Sequence, residues 1–307
     1  SPCQPADDDR AENKGWAFAR SRVRFDRFIP TGGSLAKTNT IVAHTRVAMP
    51  VRRWPRRLLR VLLILLLAPT LIILVYRFVD PPVTPLMLIR LAQGEGLDHR
   101  AAPLARISPN LIAAVIASED NLFCEHWGFD VAAMRGEFDD WLAGGRPRGA
   151  STITQQLAKN LFLTRERSYR RKLQEAALAL HLESTLGKRR ILEIYLNVIE
   201  WGPGLHGLGP AARHYFGKNP QDLTPREGAF LVALIPGPVK YQPSFASGVL
   251  SRGFTRLVNG VLRRLASVGM LAPEELKAEL ETPLRLRWTP AEVPGEEPLP
   301  GEAESDA

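Results

Sequence analysis

Ser151-Thr152-Ile153-Thr154-Gln155-Gln156-Leu157-Ala158-Lys159-Asn160-Leu161-Phe162-Leu163 reads as a capped amphipathic helix, and its pattern sets the class of the whole domain. Ser151 and Thr152 are residue types that accept hydrogen bonds from the free N–H groups of a helix start. Ile153, Leu157, Leu161 and Phe162 then return on one side, leaving Gln155, Gln156, Lys159 and Asn160 as the polar complement. Working outward, the same period predicts a helix over residues 168–186, broken at Gly187, and another over 188–198 that ends before Trp201-Gly202-Pro203-Gly204. Upstream, Ser108-Pro109 supplies a cap and a first-turn proline, and Leu111, Ile112, Val115 and Ile116 carry the period as far as Glu119. Further helices are indicated at 225–234, 253–268 and 273–280. Strand-like alternation is nearly absent, so the expected fold is mainly α.

Three polar clusters on this frame could carry chemistry. The first is Glu119-Asp120-Asn121-Leu122-Phe123-Cys124-Glu125-His126-Trp127-Gly128-Phe129-Asp130, a run of carboxylates and a histidine in the turn after a helix. Glu119 stands at the negative end of the helix dipole, which disfavours its charge; that suits a base better than a structural residue. His126, among aromatics, reads equally as structural support, and no metal-type spacing accompanies it. The second cluster is the polar face of 149–160, which could bind sugar hydroxyls or phosphate oxygens or simply face solvent. The third is Arg167-Ser168-Tyr169-Arg170-Arg171-Lys172-Leu173-Gln174-Glu175, in which Arg171 and Lys172 share a helical face with Glu175. An ordinary ion-pair ladder and a site for a diphosphate both need that arrangement, and periodicity does not choose between them.

The chain of 307 residues has a net charge of +8, which implies an anionic partner without naming it. Arg46, Arg52, Arg53, Arg56, Arg57 and Arg60 crowd together directly before the most hydrophobic run, residues 61–76, which contains no charge. With Arg60 and Arg77 snorkelling, Leu58, Leu59, Phe78 and Val79 extend that run to the roughly 20 residues a bilayer core requires. Arginines before the span and few cations after it put the N-terminus in the cytoplasm and the rest outside. The expected order is a disordered or misannotated extension (1–48), a basic cytoplasmic segment (49–60), a transmembrane helix (61–79), a linker (80–107), the catalytic domain (108–287) and a disordered tail (288–307). Met49 is the expected translation start. Cys3 and Cys124 are the only cysteines, so a disulfide framework is excluded, and with that start Cys124 stands alone as a small buried residue.

The order and identity of these segments together resemble the glycosyltransferase domain, family 51, of penicillin-binding proteins and monofunctional transglycosylases. The resemblance covers about residues 108–243 and starts with Glu-Asp-x-x-Phe-x-x-His-x-Gly-Phe-Asp at 119–130. Gly-Ala-Ser-Thr-Ile-Thr-Gln-Gln-Leu-Ala-Lys-Asn follows at 149–160, then Arg-Lys-x-x-Glu at 171–175 and Arg-Ile-Leu-Glu-Ile-Tyr-Leu-Asn at 190–197. Ala-Ala-Arg-His-Tyr-Phe-Gly at 211–217 and the segment 236–243 complete the order. The resemblance implies a lysozyme-like helical domain with a smaller membrane-proximal lobe, preceded by one transmembrane helix. It implies Glu119 as catalytic base and Glu175 as a second essential glutamate that organises the site. Lys159, Arg167, Arg171 and Arg135 match cations near a donor diphosphate, and Gln155, Gln156, Ser151, Thr152 and Asn160 match substrate-contacting or scaffold positions. Asp120, Phe123 and His126 match structural support. Gly209-Pro210 and Gly237 depart from common residues of the family.

The activity so implied is peptidoglycan synthesis at the bacterial plasma membrane: the 4-hydroxyl of lipid II attacks the anomeric carbon of a lipid-pyrophosphate-linked glycan with inversion. The partners implied are lipid II, lipid-linked glycan, the membrane and other wall-synthesis and division proteins, with no nucleic acid. No cofactor is required, a divalent cation at the donor pyrophosphate being optional. No transpeptidase motif set is found. Two rivals remain: a lysozyme-like hydrolase, which must protonate a poor leaving group and has little use for several cations, and a non-catalytic membrane scaffold, which would tolerate Glu119→Gln.

Overall fold

The structure, a computed structural model, describes residues 54–145, 151–164, 166 and 168–288. Its contacts divide the chain into two units, one ending at Ile64 and one starting at Leu65. Of the first, only the start of α1 (Trp54–Tyr76) is described. Among the described residues no helix is long and apolar enough to cross a membrane. The uncharged part of α1, residues 61–76, falls short of the roughly 20 residues needed. The helix also stops at Tyr76, so the expected span of 61–79 loses its last turn: Arg77, Phe78 and Val79 lie in the turn beyond.

The unit from Leu65 onward is mainly α. After α2 (Pro85–Ala92) come α3 (Pro109–Glu119), α4 (Val131–Leu142), α5 (Ile153–Phe162), α6 (Tyr169–Thr185) and α7 (Lys188–Val198). The chain continues through α8 (Leu208–Phe216), α9 (Pro225–Leu234), α10 (Arg252–Ser267) and α11 (Pro273–Glu281). Helix α5 packs against α6 and α7, while α3 packs against α9 and α10. Of the residues that sequence periodicity places on the apolar faces, Leu111, Ile112, Val115, Ile153, Leu157 and Leu161 are buried, and Ile116 and Phe162 are partly buried. Farther along, Tyr215, Phe230, Phe245 and Phe254 form an aromatic cluster with ring centroids 5.1–5.9 Å apart. Edge-on and tilted ring pairs of this kind add to plain area burial.

A small sheet in the order β1-β3-β2 joins distant parts of the chain. Strand β1 (Asp98–His99) runs parallel to β3 (Leu205–His206), and β2 (Glu200–Gly202) runs antiparallel to it. Residues 80–107, expected as a linker, are thereby built into the domain: Met87 of α2 is fully buried and Arg90 pairs with Glu200 of β2 at 2.6 Å. Asn197 fixes the same segment by accepting from Ala102 N and donating to Ala102 O, both at 2.9 Å. Cys124, expected as a buried residue, is exposed in the turn after α3.

Candidate active site

Glu119 is the last residue of α3, and Gln156 Nε2 donates to its Oε2 at 2.9 Å. Burial holds the Glu119 carboxyl above the usual carboxylate range. The Gln156 hydrogen bond and the positive charges of Arg264 and Lys159 pull it back, while Asp120 pushes it further up. Burial is the largest of these effects, and the helix end acts in the same direction. The result is a carboxylate poorly solvated yet held by a donor, which is how a basic group is readied for proton transfer.

The next residue does different work. Asp120 caps the C-terminus of α3; its Oδ2 accepts from Ile153 N at 2.9 Å, at the start of α5, and its Oδ1 accepts from His126 Nε2 at 2.7 Å. His126 Nδ1 accepts from Gly128 N at 3.1 Å, which places the ring proton on Nε2. Thr152 Oγ1 donates to Gly128 O at 2.7 Å and also closes the capping box with Gln155. Asp120, His126 and Thr152 therefore tie the end of α3, the following turn and the beginning of α5 into one buried polar joint. Phe123 is fully buried, with Lys188 Nζ 4.6 Å above its ring.

The two adjacent glutamines separate cleanly. Gln155 is buried, and its Oε1 accepts from Thr152 N at 3.1 Å, so it belongs to the cap; Gln156 points to Glu119. Glu175 is buried on α6 and receives Arg171 Nη1 at 2.7 Å together with Lys172 Nζ. Lys172 also donates to Ser151 Oγ at 3.0 Å, occupying that hydroxyl. A carboxylate this enclosed is kept by its paired cations, and those cations are held in place by it.

A cleft of about 720 Å³ brings the separate clusters together. Gln156, Lys159 and Asn160 of α5 and Arg171 of α6 line one side; Leu86, Ile89 and Arg90 of α2 and residues 235–240 supply others. Glu119 and Glu175 stand one residue behind this wall, each bonded to a residue that lines it. Arg135 is exposed on α4 and is not part of the lining. Arg167 lies outside the described residues. Among the described residues no group of three or more His, Cys, Asp or Glu gathers as a metal site. Sequence reasoning missed Arg90, Glu200 and Lys240 in the lining, and Arg264, whose Nη1 donates to Ser118 O at 3.2 Å beside Glu119. It also missed Tyr195, whose hydroxyl donates to Gln156 Oε1 at 3.0 Å. Nothing in local periodicity marks these residues, because each meets the site across a long sequence gap.

Comparison with known proteins identifies the family. Residues 88–265 match the family model described as Transglycosylase. A biosynthetic peptidoglycan transglycosylase of Caulobacter vibrioides is 47% identical over 193 residues, covering 62% of this chain and 84% of that protein. One from Rhodospirillum centenum is 48% identical over 194 residues, covering 63% and 84%. A third, from Mesorhizobium japonicum, is 43% identical over 222 residues, covering 71% and 92%. With the family match spanning more than half of its length, and with relatives this similar over most of theirs, this chain belongs to the transglycosylase family.

Proposed function

We propose that this enzyme, a peptidoglycan glycosyltransferase of cell-wall synthesis, polymerises lipid II into glycan strands with release of the lipid diphosphate. The supporting observation is the cleft in which Gln156, Lys159, Asn160 and Arg171 converge, with Glu119 hydrogen-bonded directly behind Gln156. In this reading Glu119 takes the proton from the attacking sugar 4-hydroxyl as the new C–O bond forms at the anomeric carbon. The old bond to the diphosphate breaks on the opposite face, giving inversion. A diphosphate needs charge compensation rather than a proton to leave, and Lys159, Arg167 and Arg171 would supply it. Glu175 would hold Arg171 and Lys172 in position. No cofactor enters this scheme; a divalent cation, where one takes part, would ride on the diphosphate oxygens.

The membrane part of the proposal rests on α1. Val61, Ile64, Leu67 and Leu71 are each more than half exposed on successive turns, and exposed apolar area of this extent suits lipid better than water. Arginines precede it, so the N-terminus would be cytoplasmic and the catalytic unit would face the cell wall. Such an anchor would keep the cleft beside a lipid-tethered substrate and raise its effective concentration. Labelled lipid II given to wild type, Glu119→Gln and Glu175→Gln tests the proposal. Long glycan from wild type and none from Glu119→Gln is the expected result; shortening of preformed glycan, or polymer from Glu119→Gln, overturns it.

A further inference from the structure

The polar contact that holds Glu119 does not end at Gln156. Tyr195, on α7, has no exposed surface and donates its hydroxyl proton to Gln156 Oε1 at 3.0 Å, while Gln156 Nε2 donates to Glu119 Oε2 at 2.9 Å. A glutamine amide has one accepting end and one donating end, and a half turn about its last bond exchanges them. Turned over, the amide would set its oxygen against the oxygen of Glu119, lone pair facing lone pair. The Glu119 carboxylate, which only accepts, therefore takes the donating end, and the Tyr195 hydroxyl, able to donate or to accept, completes the pair by donating to the oxygen.

We infer that Tyr195 is a positioning residue for the base: its buried hydroxyl donates to the carbonyl end of Gln156 and so holds the opposite N–H on the Glu119 carboxylate. The inference rests on the reading of Glu119 as the base. It stands on a three-residue relay across α7, α5 and α3, in which each group uses the end the next one needs. Burial and the negative charges of Glu119 and Asp120 keep the Tyr195 phenol protonated well beyond neutral pH, so it serves as a donor throughout the working range. The charged and polar groups acting on Glu119 from the elements around it are Asp120 beside it, Gln156 and Lys159 from α5, and Arg264 from α10, with Tyr195 of α7 behind Gln156. Of these, Tyr195 alone reaches Glu119 by hydrogen bonds that pass through another side chain.

The test is the pH dependence of lipid II polymerisation by the full chain with Tyr195→Phe, which removes one oxygen. Loss of an oriented donor to a carboxylate lowers kcat by about three- to tenfold near neutral pH and leaves KM unchanged. The acid limb of the profile moves to higher pH, because the charged form of Glu119 loses support. In a Gln156→Leu background, Tyr195→Phe costs nothing further of the residual rate. A wild-type rate and acid limb in Tyr195→Phe, or an equal loss in both backgrounds, overturns the inference. Glu119→Gln in the same series keeps the two readings apart: activity retained there removes the base itself, whereas an inactive Glu119→Gln beside an unaffected Tyr195→Phe removes only the role of Tyr195. Should Tyr195→Phe fail to fold, 3-fluorotyrosine at position 195 keeps the shape and strengthens the donor. The acid limb then shifts to lower pH, and an unmoved limb counts against the relay.

Discussion

As the proposed base, Glu119 illustrates how a group kept for its chemistry can oppose the stability of its own fold. Its carboxyl is raised above the unfolded value chiefly by burial, so folding favours the protonated form. The sign follows from linkage: the stabilising contribution is full below the unfolded value and is lost as pH rises through the folded one. At neutral pH the ionised group is therefore a cost to the folded state, and Glu119→Gln removes it while keeping the shape. The expected outcome is a variant with a higher Tm than wild type at pH 7.5, a smaller difference at pH 4.5, and kcat lower by about 10²- to 10⁴-fold. Thermal denaturation at the two pH values and a polymerisation assay check the three parts. This behaviour was legible in the sequence only in outline. The position of Glu119 at a helix end could be read from periodicity, but its dominant perturbation, burial, is a tertiary property. The division of labour between Gln155 and Gln156 was not legible, since both fall on the polar side of the same helix and differ by one step of about 100°.

Among elements, those with clear boundary signals could be read closely: α7, which follows Gly187, and α9, with its Thr224–Glu227 capping box, begin and end where the sequence places them. Helix α8 was missed because Gly207, Gly209 and Pro210 look like a turn, although Pro210 sits in the first turn of the helix, where its missing N–H costs nothing. Helix α4 was missed although Val131, Met134, Phe138 and Leu142 return at helical spacing; these four side chains face outward, Val131 and Leu142 being 71% and 64% exposed. The strands, two or three residues each, are too short to alternate. Their junction nevertheless depends on one residue. Gly204 adopts φ +63°, and a Cβ there would lie 2.0 Å from Gly96 O on the segment leading into β1. Since Asp98 N donates to Gly204 O at 3.1 Å, neither backbone can retreat without losing the pairing. Gly204→Ala should therefore cost about 2 kcal/mol or more in chemical denaturation, whereas Gly187→Ala, with open space around its added methyl, should be nearly neutral.

At the scale of the whole molecule, the cleft collects residues from Leu86 to Lys240, a span no periodicity argument can bridge; an ordered set of motifs could only imply their convergence. The N-terminal helix poses the sharper question, because its end serves the core. Ile73 is fully buried, the ring of Tyr76 lies 6.5 Å from that of Phe162, and Arg190 Nε donates to Tyr76 O at 2.8 Å. Arg77 Nη1 adds a hydrogen bond to Thr185 O at 3.0 Å, and Arg190 pairs with Asp80 at 2.8 Å. The hydrophobic stretch was read as an anchor ending near residue 79, followed by a linker, yet its last turn is also core. Two truncations separate these roles. A chain beginning at Thr70 keeps Ile73, Tyr76 and Arg77 while losing the exposed Val61, Ile64 and Leu67, whereas a chain beginning at Pro81 loses both sets. Removing one fully buried large aliphatic side chain costs about 2–5 kcal/mol, so the Pro81 chain should be less stable than the Thr70 chain by at least about 2 kcal/mol. The full chain is expected to float with lipid vesicles and neither truncation is. Equal stability of the two truncations would show that the end of α1 contributes nothing to the fold, and vesicle binding by the Thr70 chain would move the membrane contact away from the first turns of that helix.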